Sequence, residues 1–331
     1  MFNGITMRQL AELAGVSIGT VSLALRDNSR ISVKTRRRIQ ALAEQHGYRP
    51  NRLTQGLISG KTHTIGCILP SVTCTFYARL LRGVLARAFE AGYHVITRET
   101  HSRLLDTCKA IHALVGQRAD GILIASEHPA TIPRETVQAM LRHQAWPVGL
   151  DSTPFEEAVD EIRTDETQLA ETAVGYLAGL GHRHIAYLGS VPGSRARAMA
   201  GALQRRGLPA TSLIDAYSDD PTHYDVDAIY RALFRRAVPP TAIICWEDRM
   251  AARLVQHLTY RNLRVPRDVS VLGCANMDVA DLTVPPLNSI EQDPEAIGRQ
   301  AVELVLHRES TPRSIIIPAR LVVRASCGPR K

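Results

Sequence analysis

The spacing of apolar residues changes once along the chain, near residue 62. Before that point, apolar residues recur every three or four positions in short segments, which is the period of amphipathic helices. After it, short apolar runs alternate with longer segments of helical period. The pattern therefore predicts a small helical domain followed by a larger domain of alternating strands and helices.

The first helical segment, TMRQLAELAGVSIGTVSLAL at residues 6–25, predicts two short helices joined by a tight turn. Thr6 can cap the first helix, with Gln9 completing a capping box. Gly15 ends that helix, where a residue must tolerate a positive φ, and Ser17 caps the next helix. This is the form of a DNA-reading helix-turn-helix, although an ordinary helical hairpin has the same pattern.

A third helix is predicted from the Ser32 cap through KTRRRIQALAEQHG, with its arginines facing outward. Pro50 ends the helical pattern, because the residue before a proline avoids the α-helical region. The segment RLTQGLISG, which Asn51 can cap, follows as a linker that we expect to become helical only when the protein binds DNA. Gly56 weakens this helix by up to ~1 kcal/mol relative to alanine.

The larger part of the chain alternates predicted strands with predicted amphipathic helices. Such alternation forms a parallel, doubly wound sheet, and two successive units imply two subdomains with a cleft between them. The segment IIIPARLVVR predicts that the chain crosses back between the subdomains. The predicted strands are Thr64–Leu69, His94–Thr97, Gly121–Ala125, Pro147–Leu150, Glu161–Arg163, His184–Gly189, Thr241–Cys245 and Val269–Gly273. The predicted helices are Tyr77–Ala91, Leu105–Gln117, Arg134–His143, Glu166–Gly181, Arg195–Gly207, Tyr224–Ala237, Arg249–Arg261 and Pro294–Leu306.

Positive charge is concentrated at the N-terminal end. Residues 1–61 carry ten basic and three acidic side chains, a net charge of +7, and the whole chain of 331 residues carries +8. A basic domain joined to a nearly neutral one is the electrostatic pattern of phosphate binding. The charge therefore favours the DNA-binding interpretation of the N-terminal helices.

Several classes of protein are disfavoured by what the sequence lacks. No run of about 18 apolar residues predicts a membrane span, and the N-terminus shows no signal-peptide pattern. The six cysteines form no C-x-x-C pair and the twelve histidines show no H-E-x-x-H spacing, so we expect reduced buried thiols, no metal and no cofactor. No G-x-G-x-x-G, P-loop or nucleophile-elbow motif indicates an enzyme. We expect a cytoplasmic protein that is not an enzyme.

The order of motifs resembles that of the LacI/GalR family of bacterial transcription regulators over nearly the whole chain. The motifs that carry the resemblance are AGVSIGTVSLAL, RRRIQALAEQHGYRPN, THTIGCILPSVTCTFYARLLRG, GLGHRHIAYLG, RVPRDVSVLGCANM, VPPLNSIEQDPEAIGRQAVELVL and IIIPARLVVRAS. The resemblance implies a repressor that binds a pseudo-palindromic DNA operator as a homodimer. It also implies control by a small-molecule effector, such as a sugar or sugar derivative. A periplasmic-type binding protein without a transcriptional role is the alternative, which the basic N-terminus disfavours.

The resemblance also implies the fold class. It is an α/β protein with an N-terminal three-helix helix-turn-helix headpiece and a hinge, followed by two doubly wound parallel-sheet subdomains like those of periplasmic binding proteins. We expect the headpiece at residues 1–49, the hinge at 50–61 and the effector-binding and dimerisation domain at 62–331. The expected N-subdomain comprises residues 62–162 and 292–320, and the expected C-subdomain comprises 163–291 and 321–331.

By the same resemblance, the second helix enters the major groove with its N-terminal residues. The family reads bases with the positions of Ile18, Gly19 and Leu23, none of which can donate a side-chain hydrogen bond. Ile18 and Leu23 can contact thymine methyl groups, and Gly19 permits close approach of the backbone. Packing in the headpiece core is the alternative role for Leu23. The other predicted DNA contacts in this region are Ser17, Thr20, Ser22 and Arg26.

Two further predicted DNA contacts lie in the hinge. Asn51 opens it, and Leu57 matches the leucine with which the family wedges a central minor-groove step and kinks the DNA. Packing against the effector domain is the alternative role for Leu57. Gln55 stands where many members have arginine, which predicts a lower affinity for the minor groove.

The resemblance places the effector contacts position by position. Phe76 and Tyr77 match an aromatic pair after the first strand, and Arg195 matches the effector arginine. Ala275 replaces an aspartate that often accepts sugar hydroxyl groups, which disfavours an ordinary hexose as the ligand. A structural role at a strand end is the alternative for each of these residues. The remaining predicted effector contacts are Asp151, Trp246, Glu247 and Asp248.

Overall fold

The protein is made of two compact units, Met1–Thr62 and His63–Lys331. The described part of the first unit is helical, and the second unit holds two β-sheets. The structure, a computed structural model, describes residues 5–25, 27–48, 61–101, 103–126, 131–151, 155–191, 193–209, 213–215 and 224–330.

The first unit contains the predicted helix-turn-helix. The capping box is confirmed, because Gln9 N–H donates to Thr6 Oγ1 (3.3 Å) and Thr6 N–H donates to Gln9 Oε1 (2.8 Å). Gly15 has a φ of +60°, which makes the turn after the first helix possible. The helices are α1 (Met7–Ala14), α2 (Ile18–Leu25) and α3 (Val33–Gln45).

All three helices contribute to one small core. Leu10, Val21 and Ile39 are fully buried together, one from each helix. Ser17 caps α2, since its Oγ accepts a hydrogen bond from Thr20 N–H at 3.1 Å. The first two helices therefore pack against each other and against the third through this core.

Among the described residues, two sheets of six strands each form the framework of the second unit. The first sheet has the order β11-β5-β4-β3-β1-β2 and is parallel throughout. The second has the order β12-β10-β9-β8-β6-β7 and is parallel except for its β10–β12 pair. The strands are β1 (Thr64–Leu69), β2 (His94–Glu99), β3 (Gly121–Ala125), β4 (Trp146–Leu150), β5 (Asp160–Thr164), β6 (Ile185–Gly189), β7 (Leu213–Asp215), β8 (Ala242–Cys245), β9 (Ser270–Cys274), β10 (Asn288–Glu291), β11 (Ser314–Ile317) and β12 (Arg320–Val322).

Helices cover both faces of each sheet, so each subdomain has two apolar cores. In β3, for example, Leu123 joins one core and its neighbours Ile122 and Ile124 join the other. This alternation is what a parallel sheet buried on both faces requires. The helices of this unit are α4 (Thr75–Glu90), α5 (Leu104–Gly116), α6 (Arg134–Arg142), α7 (Glu166–Gly179), α8 (Ser194–Arg205), α9 (Val226–Phe234), α10 (Asp248–Tyr260), α11 (Val279–Leu282) and α12 (Pro294–Leu306).

The chain crosses between the two sheets three times, from β5 to β6, from β10 to β11 and from β11 to β12. The strand β11 is linked to the first sheet by an ion pair whose carboxylate is buried. Arg313 Nη2 lies 2.7 Å from Oδ2 of Asp160, a carboxylate that is fully buried on β5. Trp146 Nε1–H donates to the same oxygen at 2.9 Å.

The structure differs from the sequence prediction at several elements. The pattern did not predict β7, a three-residue strand at the edge of its sheet. It also missed β10, because Asn288 and Ser289 read as loop residues although both are fully buried. Their burial depends on distant partners, such as Ser326 N–H, which donates to Asn288 Oδ1 at 2.9 Å. The predicted helix from Tyr224 begins later, at α9, because Asp225 caps it.

Two glycines allow α4 and α12 to pack closely in the first subdomain. A Cβ built on Gly83 of α4 would overlap the carbonyl oxygen of Glu295. A Cβ built on Gly298 of α12 would overlap the carbonyl oxygen of Leu80. The backbones of the two helices therefore touch where side chains would normally separate them.

We expect Gly298→Ala to lower the free energy of unfolding by about 1–3 kcal/mol, because an added methyl group forces the two backbones apart. The matched control is Gly179→Ala at the end of α7, where no described atom lies within 4 Å of an added Cβ. The control should change stability by less than about 1 kcal/mol. Urea denaturation measures both, and equal effects would contradict the close packing.

Candidate DNA interface and effector cleft

The N-terminal turn of α2 is exposed. Ile18 is 49% exposed, and Gly19 beside it is also exposed. Thr20 and Ser22 are half-buried, and the Thr20 hydroxyl is hydrogen-bonded to Ser17 Oγ at 2.9 Å. A helix start with short side chains and one exposed aliphatic group has the shape and chemistry to enter a major groove.

Nothing in the described headpiece requires a glycine at position 19. An added Cβ would meet only Ser17 Oγ at 3.7 Å, which is an ordinary contact, and Gly19 does not have a positive φ. Alanine would favour the helix by up to ~1 kcal/mol. The glycine is therefore explained better by a close external partner than by the fold.

Leu23 is half-buried, and it is absent from the residues that form the described headpiece core. Packing in that core, the alternative role for Leu23, therefore has little support. Three other predicted DNA contacts, Arg26, Asn51 and Leu57, lie outside the residues that the structure describes. Gln55 lies outside them as well.

The arginines of α3 do not all point to solvent, which corrects the prediction. Arg36 Nη1 donates to the carbonyl oxygen of Asp27 (2.7 Å) and lies 3.1 Å from its carboxylate. Arg38 Nη2 donates to the carbonyl oxygen of Ala14 at the end of α1 (2.7 Å). Both arginines satisfy carbonyl groups that helix ends and turns leave without helical partners. Arg37 is exposed and is the arginine of this run best placed to meet phosphate.

The second unit contains a cavity at the carboxyl ends of its parallel strands, where ligands bind in open α/β sheets. It lies between residues of both subdomains and is walled partly by aromatic rings. Phe76 and Tyr77 contact each other edge to face, with ring centroids 5.2 Å apart. Seven of the eight predicted effector residues line it: Phe76, Tyr77, Asp151, Arg195, Trp246, Glu247 and Ala275. Sequence reasoning missed three other lining residues: Cys74, Met277 and Gln292.

Arg195, in the first turn of α8, forms a bidentate ion pair with Glu166 in the first turn of α7. Nε donates to Oε2 (2.7 Å) and Nη2 donates to Oε1 (2.8 Å). Nη1 donates to the carbonyl oxygen of Trp246 (2.9 Å). Burial alone would lower the pKa of Arg195, but the charge and hydrogen bonds of Glu166 hold that pKa well above its ordinary value. Sequence reasoning did not single out Glu166.

Asp151 follows β4 with a left-handed φ of +48° and presents its carboxylate to the cavity. Its Oδ1 is buried and accepts no hydrogen bond from a described residue. Burial raises the pKa of Asp151 to about 6, with Arg195 lowering it and Glu166 raising it. A buried acceptor of this kind is a group that a bound ligand can satisfy.

Glu247 is also buried at the cavity, with 7% of its surface exposed. The Tyr224 hydroxyl donates to its Oε1. Burial raises the pKa of Glu247, although the hydrogen bond from Tyr224 opposes this change. Glu247 therefore supplies a second carboxylate, held in place by a tyrosine that sequence reasoning did not identify.

Asp248 has a structural role in place of the predicted contact with an effector. It is fully buried, its Oδ1 accepts a hydrogen bond from the Ser289 hydroxyl (2.7 Å), and its Oδ2 accepts one from Met277 N–H (2.6 Å). Burial raises the pKa of Asp248 to about 7, and these two bonds oppose the rise. They hold the loop after β9, where Ala275 has a φ of +87°. Asp248 thus positions two lining residues, Ala275 and Met277.

Within the described ranges, no group of three or more His, Cys, Asp or Glu residues could hold a metal ion. No helix in those ranges combines the length and apolar character needed to cross a membrane.

Comparison with known proteins decides the family. A model of bacterial regulatory proteins of the lacI family matches residues 6–51, and a model of the periplasmic binding protein-like domain matches residues 174–327. The chain is 30% identical over 313 residues to the ribose operon repressor of Escherichia coli strain K12, covering 93% of this chain and 94% of that protein. The chain belongs to the lacI family. As a lacI-family protein it is a DNA-binding transcriptional regulator.

Solved structures show the same fold as this lacI-family chain. The lac repressor dimer bound to operator and the anti-inducer ONPF matches with a TM-score of 0.84 at 24% identity, covering 98% of this chain and 99% of that one. The complex of the transcriptional regulator CelR with cellobiose matches with a TM-score of 0.68 at 25% identity, covering 97% of this chain and 99% of that one. The family and the fold class predicted from the motifs are both confirmed.

We expect Asp151→Asn to raise the free energy of unfolding of the ligand-free protein by about 1–3 kcal/mol at about pH 7.5. The folded state disfavours ionised Asp151, since burial lifts its pKa from 3.8 to about 6. The gain should shrink as the pH falls through about 6 and disappear below about 4, where folded and unfolded states are both protonated.

Asp268→Asn is the control of opposite sign. Hydrogen bonds from Arg264 hold the pKa of Asp268 at about 2, so ionised Asp268 stabilises the fold at neutral pH. This variant should therefore lose stability where Asp151→Asn gains it. Thermal denaturation across the pH range measures both, and a gain for Asp151→Asn that does not depend on pH would contradict the buried-charge explanation.

Proposed function

We propose that this lacI-family protein is a homodimeric repressor that binds a pseudo-palindromic operator, and that a sugar or sugar derivative in the cleft changes its affinity for that operator. The protein works by binding alone, without catalysing a reaction, in the cytoplasm, where bacterial DNA lies. The observation that carries the proposal is the exposed N-terminal turn of α2, in a region whose net charge is +7. The headpiece comprises residues 1–49, the hinge 50–61 and the effector domain 62–331.

The recognition helix reads DNA mainly by apolar contact. Ile18 and Leu23 contact thymine methyl groups, and Gly19 lets the helix backbone approach the base edges. The exposure of Ile18 supports its role, and so does the position of Gly19, where an added Cβ would make only an ordinary contact with Ser17 Oγ at 3.7 Å. The remaining DNA contacts are Ser17, Thr20, Ser22 and Arg26 around α2, with Asn51 and Leu57 in the hinge.

The dimer interface includes the exposed face of α4. Leu85 is 47% exposed and Phe89, one turn later, is 83% exposed. Val84, which directly precedes Leu85, is fully buried in the first subdomain and takes no part in this face. Exposed large apolar side chains on one helix face are typical of a protein–protein interface.

The effector joins the two subdomains across the cleft. Phe76, Tyr77 and Asp151 belong to the first subdomain, whereas Arg195 and Trp246 belong to the second. A ligand that contacts both sets stabilises one arrangement of the subdomains over another. A difference of about 1–3 kcal/mol between the two arrangements changes operator affinity roughly 5–150-fold. The relative that was solved with cellobiose supports a sugar-like effector.

The proposal predicts that DNA binding and effector response can be separated. The double variant Arg195→Met/Glu166→Gln removes both members of the ion pair, so neither charge remains buried alone. It should keep the operator affinity of the parent protein within about threefold and lose the response to effector. Operators selected from a random duplex pool, followed by fluorescence anisotropy with and without a metabolite panel, measure both properties. Failure to select any duplex sequence would overturn the proposed function itself.

Gly19→Ala tests the recognition helix independently. The headpiece should become more stable by up to ~1 kcal/mol, because alanine favours the helix. Operator affinity should nevertheless fall by about tenfold, since a methyl group keeps the backbone away from the bases. The control is Gly179→Ala, since Gly179 also lies in a helix, has no positive φ and has room for an added Cβ. Unchanged operator affinity in Gly19→Ala would contradict close approach at this position.

A further inference from the structure

The effector cavity holds more negative than positive groups. Asp151 and Glu247 line it directly, and Glu166 is bonded to Arg195, the one cationic side chain among its described lining residues. The ion pair of Glu166 and Arg195 leaves no net charge. The two other carboxylates therefore give the cavity an acidic character when they are ionised.

Arg195 is not available as a receptor for an anion. Glu166 occupies two of its donors in the bidentate geometry that a ligand carboxylate or phosphate would otherwise adopt. A third donor is bonded to the carbonyl oxygen of Trp246. The side chains of Arg195 and Glu166 are only 14% and 11% exposed, so an anionic ligand would have to displace a buried partner. The two remaining N–H groups of the guanidinium can still donate to neutral hydroxyl oxygens.

Asp151, unlike Arg195, has an atom that is left without a hydrogen-bond partner in the described part of the chain. Its Oδ1 is buried and receives no hydrogen bond from a described residue, although buried carboxylates normally have a charged or hydrogen-bonding partner. The rings of Phe76, Tyr77 and Trp246 line the same cavity. Carboxylates and aromatic rings in one desolvated site are the combination that attracts ammonium groups. Ala275 adds only a methyl group to the cavity, so it supplies no further acceptor for hydroxyl groups.

We propose that the effector is an amino sugar whose free ammonium group is bound by Asp151, with Glu247 adding negative charge and Arg195 donating to the sugar hydroxyl groups. This inference rests on the proposed function, since it specifies the ligand of the same cleft. It excludes sugar phosphates and sugar acids, because their charge has the same sign as that of the lining carboxylates. It also separates the free amine from its acetylated form, which has no charge.

The experiment measures binding of matched sugars by isothermal titration calorimetry to the full-length protein. Three series are used, built on glucose, galactose and mannose, each with its 2-amino, N-acetylamino and 6-phosphate forms. In at least one series the amino sugar should bind about tenfold or more tightly than the neutral parent, because an ammonium group makes a charge-assisted hydrogen bond. The 6-phosphates should show no binding.

Two variants and one control test which residues cause the preference for amino sugars. Asp151→Asn should reduce the ratio of amino-sugar to parent-sugar affinity to about one, and Glu247→Gln should reduce it partly. Glu309→Gln, at a surface residue whose side chain is 61% exposed, should leave the ratio unchanged. Operator binding by each variant, measured on the same preparations, shows that the variant is folded.

The outcomes separate this inference from the proposed function. If the parent protein binds a selected operator but prefers a neutral or phosphorylated sugar, or binds no amino sugar, the inference is wrong and the proposed function stands. An amino-sugar preference that survives in Asp151→Asn also overturns it. A protein that selects no operator refutes the proposed function whatever its preference among the sugars.

Discussion

One fully buried carboxylate, that of Asp160, connects the strands on which the effector cleft depends. It is paired with Arg313, which lies just before β11, and it accepts a hydrogen bond from Trp146 at the start of β4. A buried charge of this kind is tolerated only when its partners are in place, so the pair requires β11 to join the first sheet. The chain then returns to the second sheet as β12. Both subdomains therefore share the last part of the chain, and the cleft lies between two halves that cannot fold fully apart.

The cleft contains a buried carboxylate that lowers the stability of the ligand-free protein at neutral pH. Burial of Asp151, whose Oδ1 accepts no hydrogen bond from a described residue, disfavours its ionised form, and the raised pKa is the consequence. A ligand that donated to this carboxylate would remove that penalty only in the folded protein, which would link ligand binding to stability. The neighbouring pair of Arg195 and Glu166 behaves differently, because each charge already has its partner. One buried acceptor therefore has no hydrogen bond from a described residue, whereas the neighbouring charges already hold each other in place.

The sequence predicted those features that depend on neighbouring residues. The Thr6–Gln9 capping box and the left-handed Gly15 follow from short spacings, and the alternation of strands and helices follows from periodicity. Arg195 was found by resemblance, but its partner Glu166 was not, since no local spacing links two residues that start different helices.

Other contacts could not be predicted because they also join residues that are far apart in the sequence. The bond of Arg38 to the Ala14 carbonyl joins two helices, and a run of arginines reads as a solvated face until that contact is known. Asp248 was assigned to the ligand by resemblance, with a structural role at a strand end as the alternative. Its bonds to Ser289 and Met277 show that it shapes the loop instead.

The bonds of Asp248 also mean that the loop after β9 does not rely on the side chain at position 275 for its shape. Ala275 has a φ of +87°, in a region that asparagine and aspartate enter more readily than alanine. The backbone of this loop is thus held independently of the side chain at position 275, so under the proposed function a change of one codon would alter the cavity wall while the architecture stays intact.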